Sequence, residues 1–404
     1  MTNKIKLAIM LLLNLPLYNL SAQTTNLGTN SGTGGTSNVH IGFESGKIST
    51  ANFNAFLGYQ TGLSNTTGLY NSFFGYKAGM NNTTRSYNTF IGYGAGTTTN
   101  SSEYNTFIGF NAGTLTTSGS WNCFVGARSG QANTTGYSNN FIGYVAGQSN
   151  TTGFCNSFTG HLSGWKNTTG QHNTFEGFES GMQNTLGNFN TSFGSGASRG
   201  NQIGNNNCTF GFKAGYLTNG GSNNIMLGFQ SGYSNVTGNN NVFLGYQAGY
   251  NELGSNKLYI DNSNTSQPLI YGDFDLNLLT FNGKVGINTS TFPTSVGAAN
   301  VSSYGLFVKG GILTEELRVR TGWADYVFEE NYDLMPLDKV ELYLKANKHL
   351  PNVPSAETIL EEGLDLGEIT KIQQEKIEEL TLYLIQLSNK LKEQQEQINQ
   401  LLQK

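Results

Sequence analysis

Aligned on a single glycine, the chain repeats itself. Gly42, Gly58, Gly75, Gly92, Gly109, Gly126, Gly143, Gly160, Gly177, Gly194, Gly211, Gly228 and Gly245 succeed one another at intervals of 17 residues after a first step of 16. Residues 38–249 are therefore thirteen copies of one 17-residue unit. A fixed period held over so many copies is the signature of a solenoid, in which each unit buries its apolar face only against its neighbours.

Four residues before each of these glycines stands an asparagine, from Asn38 and Asn54 through Asn88, Asn105 and Asn139 to Asn241. Stacked in register, such a residue forms a ladder in which each amide bonds the copies above and below it. A sugar-binding asparagine row is the competing reading, but a ladder already engages its own donors. Between asparagine and glycine the pattern is Asn-x-Phe-aliphatic-Gly, as in Asn88-Thr89-Phe90-Ile91-Gly92 and Asn105-Thr106-Phe107-Ile108-Gly109. Alternate residues of a strand face opposite sides, so Phe90 points one way while Ile91 and Tyr93 point the other. Both sides are apolar, and an apolar face stacked over a dozen copies needs a cover. A coil of 17 residues has one interior, so the second face is expected to meet another copy of the chain, with a lone flattened solenoid of two packed layers as the alternative.

The unit continues with a small residue and a second glycine, as in Ala78-Gly79, Ala95-Gly96 and Ala248-Gly249. Glycine permits positive φ, which makes this a tight corner. A polar stretch such as Asn133 to Gly136 or Asn150 to Gly153 reads as the second corner. The pair Gly92 and Gly96 lacks the lysine and following helix of a phosphate loop, and the apolar 20-mer of a helix-packing motif. Phe193 and Phe210 sit directly before their glycines, and Ser198 replaces a second glycine. A local irregularity of the solenoid is expected there.

Composition agrees with a chain made of two materials. Glycine occurs 53 times in 404 residues, nearly twice the usual share of about 7 %. Residues 24–252 carry twelve charged side chains, and residues 305–404 carry twenty-nine. With net charge −4 and no basic cluster, no nucleic-acid partner is expected. Cys123, Cys155 and Cys208 have no metal-ligand spacing and lie on different coils, too far apart to pair.

Met1 to Ala22 has Lys4 and Lys6, an apolar run Leu7 to Leu13, and small residues Ser21 and Ala22, the three-part form of a secretory signal. No other stretch approaches a membrane span, so the expected location is secreted or at the cell surface. After Asn251, short alternating strands run to about Thr321. Phe281-Asn282-Gly283-Lys284-Val285 reads as a hairpin on an Asn-Gly turn, and Leu306 to Leu313 reads the same way. Trp323, Tyr326, Phe328 and Tyr332 precede a helix expected over Pro336 to Ala346. Ser355 is placed to cap a short helix ended by Gly363. His349 has no nucleophile or ligand set beside it.

From Leu366 onward the chain reads as helix. Ile377, Leu380, Leu384, Leu387, Leu391, Gln394, Ile398 and Leu401 alternate steps of three and four, the seam of a coiled coil. The expected architecture is mainly β, with a signal peptide at 1–22 and a parallel β-solenoid or β-roll of about 13 coils over 23–252. A β-rich neck over 253–322, a small α+β module over 323–363 and a coiled-coil helix over 364–404 follow.

The Asn-x-Phe-x-Gly-Tyr-x-Ala-Gly units resemble repeats of secreted Bacteroidota proteins often labelled tail-fibre-like. More distantly they are similar to the head repeats of YadA-type trimeric adhesins. Lys257-Leu258-Tyr259-Ile260-Asp261-Asn262, Trp323-Ala324-Asp325-Tyr326-Val327-Phe328 and His349-Leu350-Pro351-Asn352-Val353-Pro354-Ser355 resemble the C-terminal half of the same group. The resemblance implies a homotrimeric surface or extracellular fibre that adheres to a surface or glycan. It carries no catalytic Ser-Lys pair of the self-cleaving chaperone domains found in related fibres, and no β-barrel anchor. Thirteen coils at about 4.8 Å each give a shaft of roughly 60 Å.

Two other fibre or surface roles compete: a phage-tail-like component of an injection particle, and an ice- or surface-binding solenoid using rows such as Thr66-Thr67 and Thr134-Thr135. A polysaccharide-degrading β-helix needs paired carboxylates in a groove, and the repeat offers only Glu44, Glu103, Glu176, Glu179 and Glu252. No enzyme activity, cofactor or metal is expected. The residues expected to matter are structural: Asn88, Phe90, Gly92, Tyr93, Gly96, Asn105, Phe107 and Gly109 in the repeat, and Leu380, Leu384, Leu387 and Leu391 in the helix.

Overall fold

The computed structural model describes residues 24–403, so the signal peptide expected at 1–22 lies outside the described residues. The chain divides into two compact units between Asn282 and Gly283, inside the segment 253–322 that the sequence groups together.

In the first unit, seventeen strands form one sheet. Fifteen of them, from Thr25–Leu27 to Lys257–Ile260, are parallel rungs, each pairing with the copy before and after it. The last two, Ile270–Asp273 and Leu278–Phe281, turn back antiparallel. The parallel β-solenoid is thus present, and it has a rung at each end beyond the thirteen copies. Thr25–Leu27 pairs with Val39–Ile41 only fourteen residues later. Leu258–Ile260 pairs with Val242–Leu244 but is followed by Asp261 instead of glycine. The glycine alignment misses both because neither keeps the period.

The interior is one column of rings. Phe56, Phe73, Phe90, Phe107, Phe124, Phe141, Phe158 and Phe175 are fully buried, with neighbouring centroids 4.8–5.0 Å apart. The spacing is that of the rungs, so each ring stacks on the same ring of the next coil. Offset stacks of this kind add about 0.5–1.5 kcal/mol per pair beyond the burial itself.

The two glycines of the unit are required for different reasons. A Cβ on Gly92 would lie 2.4 Å from the carbonyl oxygen of Gly109, so the next coil's backbone excludes any side chain. Gly96, at φ +58°, would place a Cβ 2.7 Å from the ring of Phe90. Its demand comes from the core ring. The irregular coils bear this out: Ser198 sits at φ 47°, in a coil whose core residue is Ser192, not phenylalanine.

The irregularity expected at those coils is not in the backbone. The parallel register runs through Thr191–Phe193 and Cys208–Phe210 unbroken. Instead the core changes filling: Ser192 and Thr209 face inward, and Ser198 Oγ lies 2.8 Å from Thr209 Oγ1. Phe193 and Phe210 stack on the outside, 5.3 Å apart.

Neither expected hairpin forms. Leu278–Phe281 pairs with the strand before it, and Val285–Ile287 pairs in parallel with Leu306–Val308. The Asn282-Gly283 turn therefore connects two separate sheets. Leu306–Val308 has no return strand either; Ile312 and Leu313 are exposed coil. Helix α1 spans Leu337–Asn347, beginning just after Pro336. Helix α2, Ala356–Glu362, is capped by Ser355, whose Oγ accepts the Thr358 N–H at 3.1 Å. Helix α3 spans Leu366–Leu402, and Asp365 accepts the N–H groups of Gly367 and Glu368 at its start.

The first turns of α3 are tied to the aromatic segment before α1. The Tyr326 hydroxyl donates to Glu375, Tyr332 donates to Glu379 at 2.6 Å, and Lys376 pairs with both carboxylates at 2.8 and 2.9 Å. Burial pushes the Glu375 carboxyl up, but hydrogen bonds from Lys376 and Tyr326 outweigh it and hold the group below its ordinary range. The bond to Glu375, with burial behind it, raises the Tyr326 phenol to about 12.

Candidate functional site

The expected asparagine ladder is present and wholly interior. Asn88 Oδ1 accepts the backbone N–H of Asn105 at 3.0 Å, and Asn105 Oδ1 accepts that of Asn122 at 2.9 Å. Amide-to-amide bonds are present but longer, as in Asn105 Nδ2 to Asn88 Oδ1 at 3.3 Å. The ladder thus joins side chain to backbone between coils, satisfying groups that the short rungs leave unpaired.

Sequence reasoning missed a second ladder. The first asparagine of the polar corner, Asn133, Asn150, Asn167 and Asn184, points inward and is fully buried. The Nδ2 groups of Asn150, Asn167 and Asn184 each donate to the Oδ1 of the copy before at 2.7–2.8 Å. The available signal was the run of this asparagine from Asn133 to Asn201, three residues before a corner glycine whose carbonyl it also binds, as Asn150 binds Gly153 at 3.0 Å. Both ladders are occupied by the protein, and neither offers its amides to a sugar.

What faces outward is apolar. Ile91 and Tyr93 lie on the outer side of their strand, as expected, and both are exposed. Tyr59, Tyr76, Tyr93 and Phe110 stack in one outer column with centroids 4.8–5.3 Å apart. A second outer column, Phe53, Tyr70, Tyr87, Tyr104 and Trp121, occupies the residue just before each ladder asparagine. These residues hold positive φ, 64° at Tyr87 and 58° at Tyr104, a conformation that costs a bulky L-residue roughly 1–2 kcal/mol. In the last coils the same row becomes Asn206, Asn223, Asn240 and Asn256, a residue type that tolerates this conformation, linked at 2.9–3.1 Å.

Within each column the ring planes are nearly parallel, 7° between Tyr76 and Tyr93. The ring faces are therefore spent on one another, and edges point outward. Such a surface suits packing against another apolar surface better than stacking a sugar ring on an aromatic face.

The threonine rows divide. Thr66, Thr134 and Thr151 each donate to the carbonyl of the matching threonine one coil on, all at 3.0 Å. Thr67, Thr84, Thr135, Thr152 and Thr169 are exposed, but Leu186 and Ile203 continue the same row. The hydroxyl array is interrupted there.

In helix α3, Leu380, Leu384, Leu387 and Leu391 are all more than half exposed, so the described residues leave the seam uncovered. Among the described residues no three His, Cys, Asp or Glu side chains gather into a metal-binding group, and no helix is long and apolar enough to cross a membrane. Cys123, Cys155 and Cys208 are free thiols; burial pushes the Cys123 thiol up, away from thiolate reactivity. No family model matches the chain, and no curated protein or solved structure is similar enough to match it.

Proposed function

We propose that the chain is the subunit of a homotrimeric surface or extracellular fibre. In this reading the solenoids pack through their outer strand faces, the α3 helices form a coiled coil, and the shaft serves attachment to a surface or glycan. The observation that carries the reading is the unbroken succession of apolar residues, exposed or half-buried, on the outer side of the strands, Leu57 through Ile142, in a chain that also leaves the α3 seam bare. Soluble monomers rarely expose apolar patches beyond a few hundred Å². Two such surfaces at separate places in one chain, each of a kind that pairs with itself, support self-association over a ligand. The trimer and the adhesive role rest further on the resemblance of the repeat to tail-fibre-like and YadA-type proteins.

Sedimentation or light scattering of the exported chain tests it. A mass near three times that of one exported chain is expected, and a chain ended at Gly363 should fall to monomer or a loose mixture. A monodisperse monomer of the full chain overturns the proposal.

A further inference from the structure

The outer apolar row has one break. Ile142 pairs with Thr159, Thr159 with Glu176, and Glu176 with Phe193, so two consecutive rungs put a hydroxyl and a carboxylate where every other rung from Leu57 to Ile260 has an aliphatic or aromatic side chain. At the same level the outer ring column carries His161, stacked between Tyr144 and Phe178 at 5.3 Å on each side. Stacking occupies the faces of the imidazole and leaves its nitrogen-bearing edge pointing out of the column. Among the described residues neither His161 nitrogen takes a hydrogen bond, and the Glu176 carboxylate has no ion-pair partner.

His161 lies two residues beyond Thr159, the register partner of Glu176. The two therefore sit on adjacent rungs, which lie about 4.8 Å apart. If this face is a contact between copies, each carboxylate is drawn out of water unfavourably unless a cation meets it. We propose that copies of His161 and Glu176 converge on a divalent transition-metal ion held between chains, with zinc as the fitting case. Imidazole nitrogen and carboxylate oxygen are the ligand types such ions take. One chain supplies one of each, fewer than the four ligands of a tetrahedral set, so the site is incomplete without the other copies of the trimer. The proposal rests on the reading of the outer face as a contact between copies.

The test uses the full exported chain, stripped with chelator and returned to zinc alone, then gel-filtered, with metal content and mass measured on the same fractions. The expected result is about one zinc per three chains in a trimer, lost in both His161→Ala and Glu176→Gln while the trimer persists. A trimer that retains no zinc overturns the metal site and leaves the fibre reading standing. The same holds for a trimer whose stability depends on His161 through pH but not through zinc, which would mark a plain imidazolium–carboxylate pair. A monomer overturns the fibre reading and the site with it.

Discussion

Asn105 Oδ1 accepts the backbone N–H of Asn122 at 2.9 Å, inside a coil where both residues are buried. Neither group meets solvent, so the bond has no replacement if one partner is removed. Asn105→Ala should leave the Asn122 N–H unpaired and destabilise the solenoid by about 1–3 kcal/mol. Denaturant unfolding checks the size, and hydrogen exchange should show the loss centred on the coils beside residue 105. Uniform loosening along the shaft would contradict a nearest-neighbour ladder.

Phe90 and Gly96 are tied by contact: a Cβ at residue 96 would enter the ring at 2.7 Å. Gly96→Ser should therefore destabilise strongly in the native chain and far less beside Phe90→Ser, the combination that Ser192 and Ser198 already present. A double-mutant cycle on unfolding free energy should give a coupling of about 1 kcal/mol or more. Additive effects would mean that the corner conformation alone, and not the ring, demands glycine.

The repeat let the sequence specify most of this. A 17-residue period, alternation about Phe90 and the ladder at Asn88 follow from spacing, and each is found in place. The second ladder was hidden because Asn150 looks like any turn asparagine; only three-dimensional stacking shows that it turns inward. The Asn282-Gly283 hairpin failed because a local turn signal cannot weigh the earlier strand Ile270–Asp273, which takes Leu278–Phe281 as its partner. Positive φ at Tyr87 was invisible for the same kind of reason, since aromatic residues rarely adopt it.

His40 continues the ring column beneath Phe56 at 5.2 Å and is fully buried, with Nδ1 2.9 Å from the Gly32 carbonyl oxygen. Burial lowers its pKa below the ordinary 6.5, and the Gly32 contact opposes this only in part. The folded chain thus binds the proton less readily than the unfolded chain. Its stability is full above pH 6.5 and declines as pH falls below that value. His40→Phe, which restores the ring of the other coils, should remove this part of the acid sensitivity. Hydrogen exchange of the first coils at pH 7.5 and pH 5.5 checks it, and an equal acid response in both proteins would contradict it.

Leu387 sits mid-seam on α3, more than half exposed, with Leu384 and Leu391 at the neighbouring seam positions equally bare. The first turns of the helix are held by Tyr326 and Tyr332, but residues 386–402 have no buried side chain at all. A helical stretch this exposed is marginal alone in water, which is why its seam is expected to be covered by its own copies. Leu387→Asp puts a charge into that contact without touching the anchored turns. The expected outcome is a drop in assembly, seen by sedimentation, with helical signal lost from the tail and the β-solenoid spectrum unchanged. An unaltered mass would place self-association in the solenoid face alone, and the coiled-coil reading of α3 would fall.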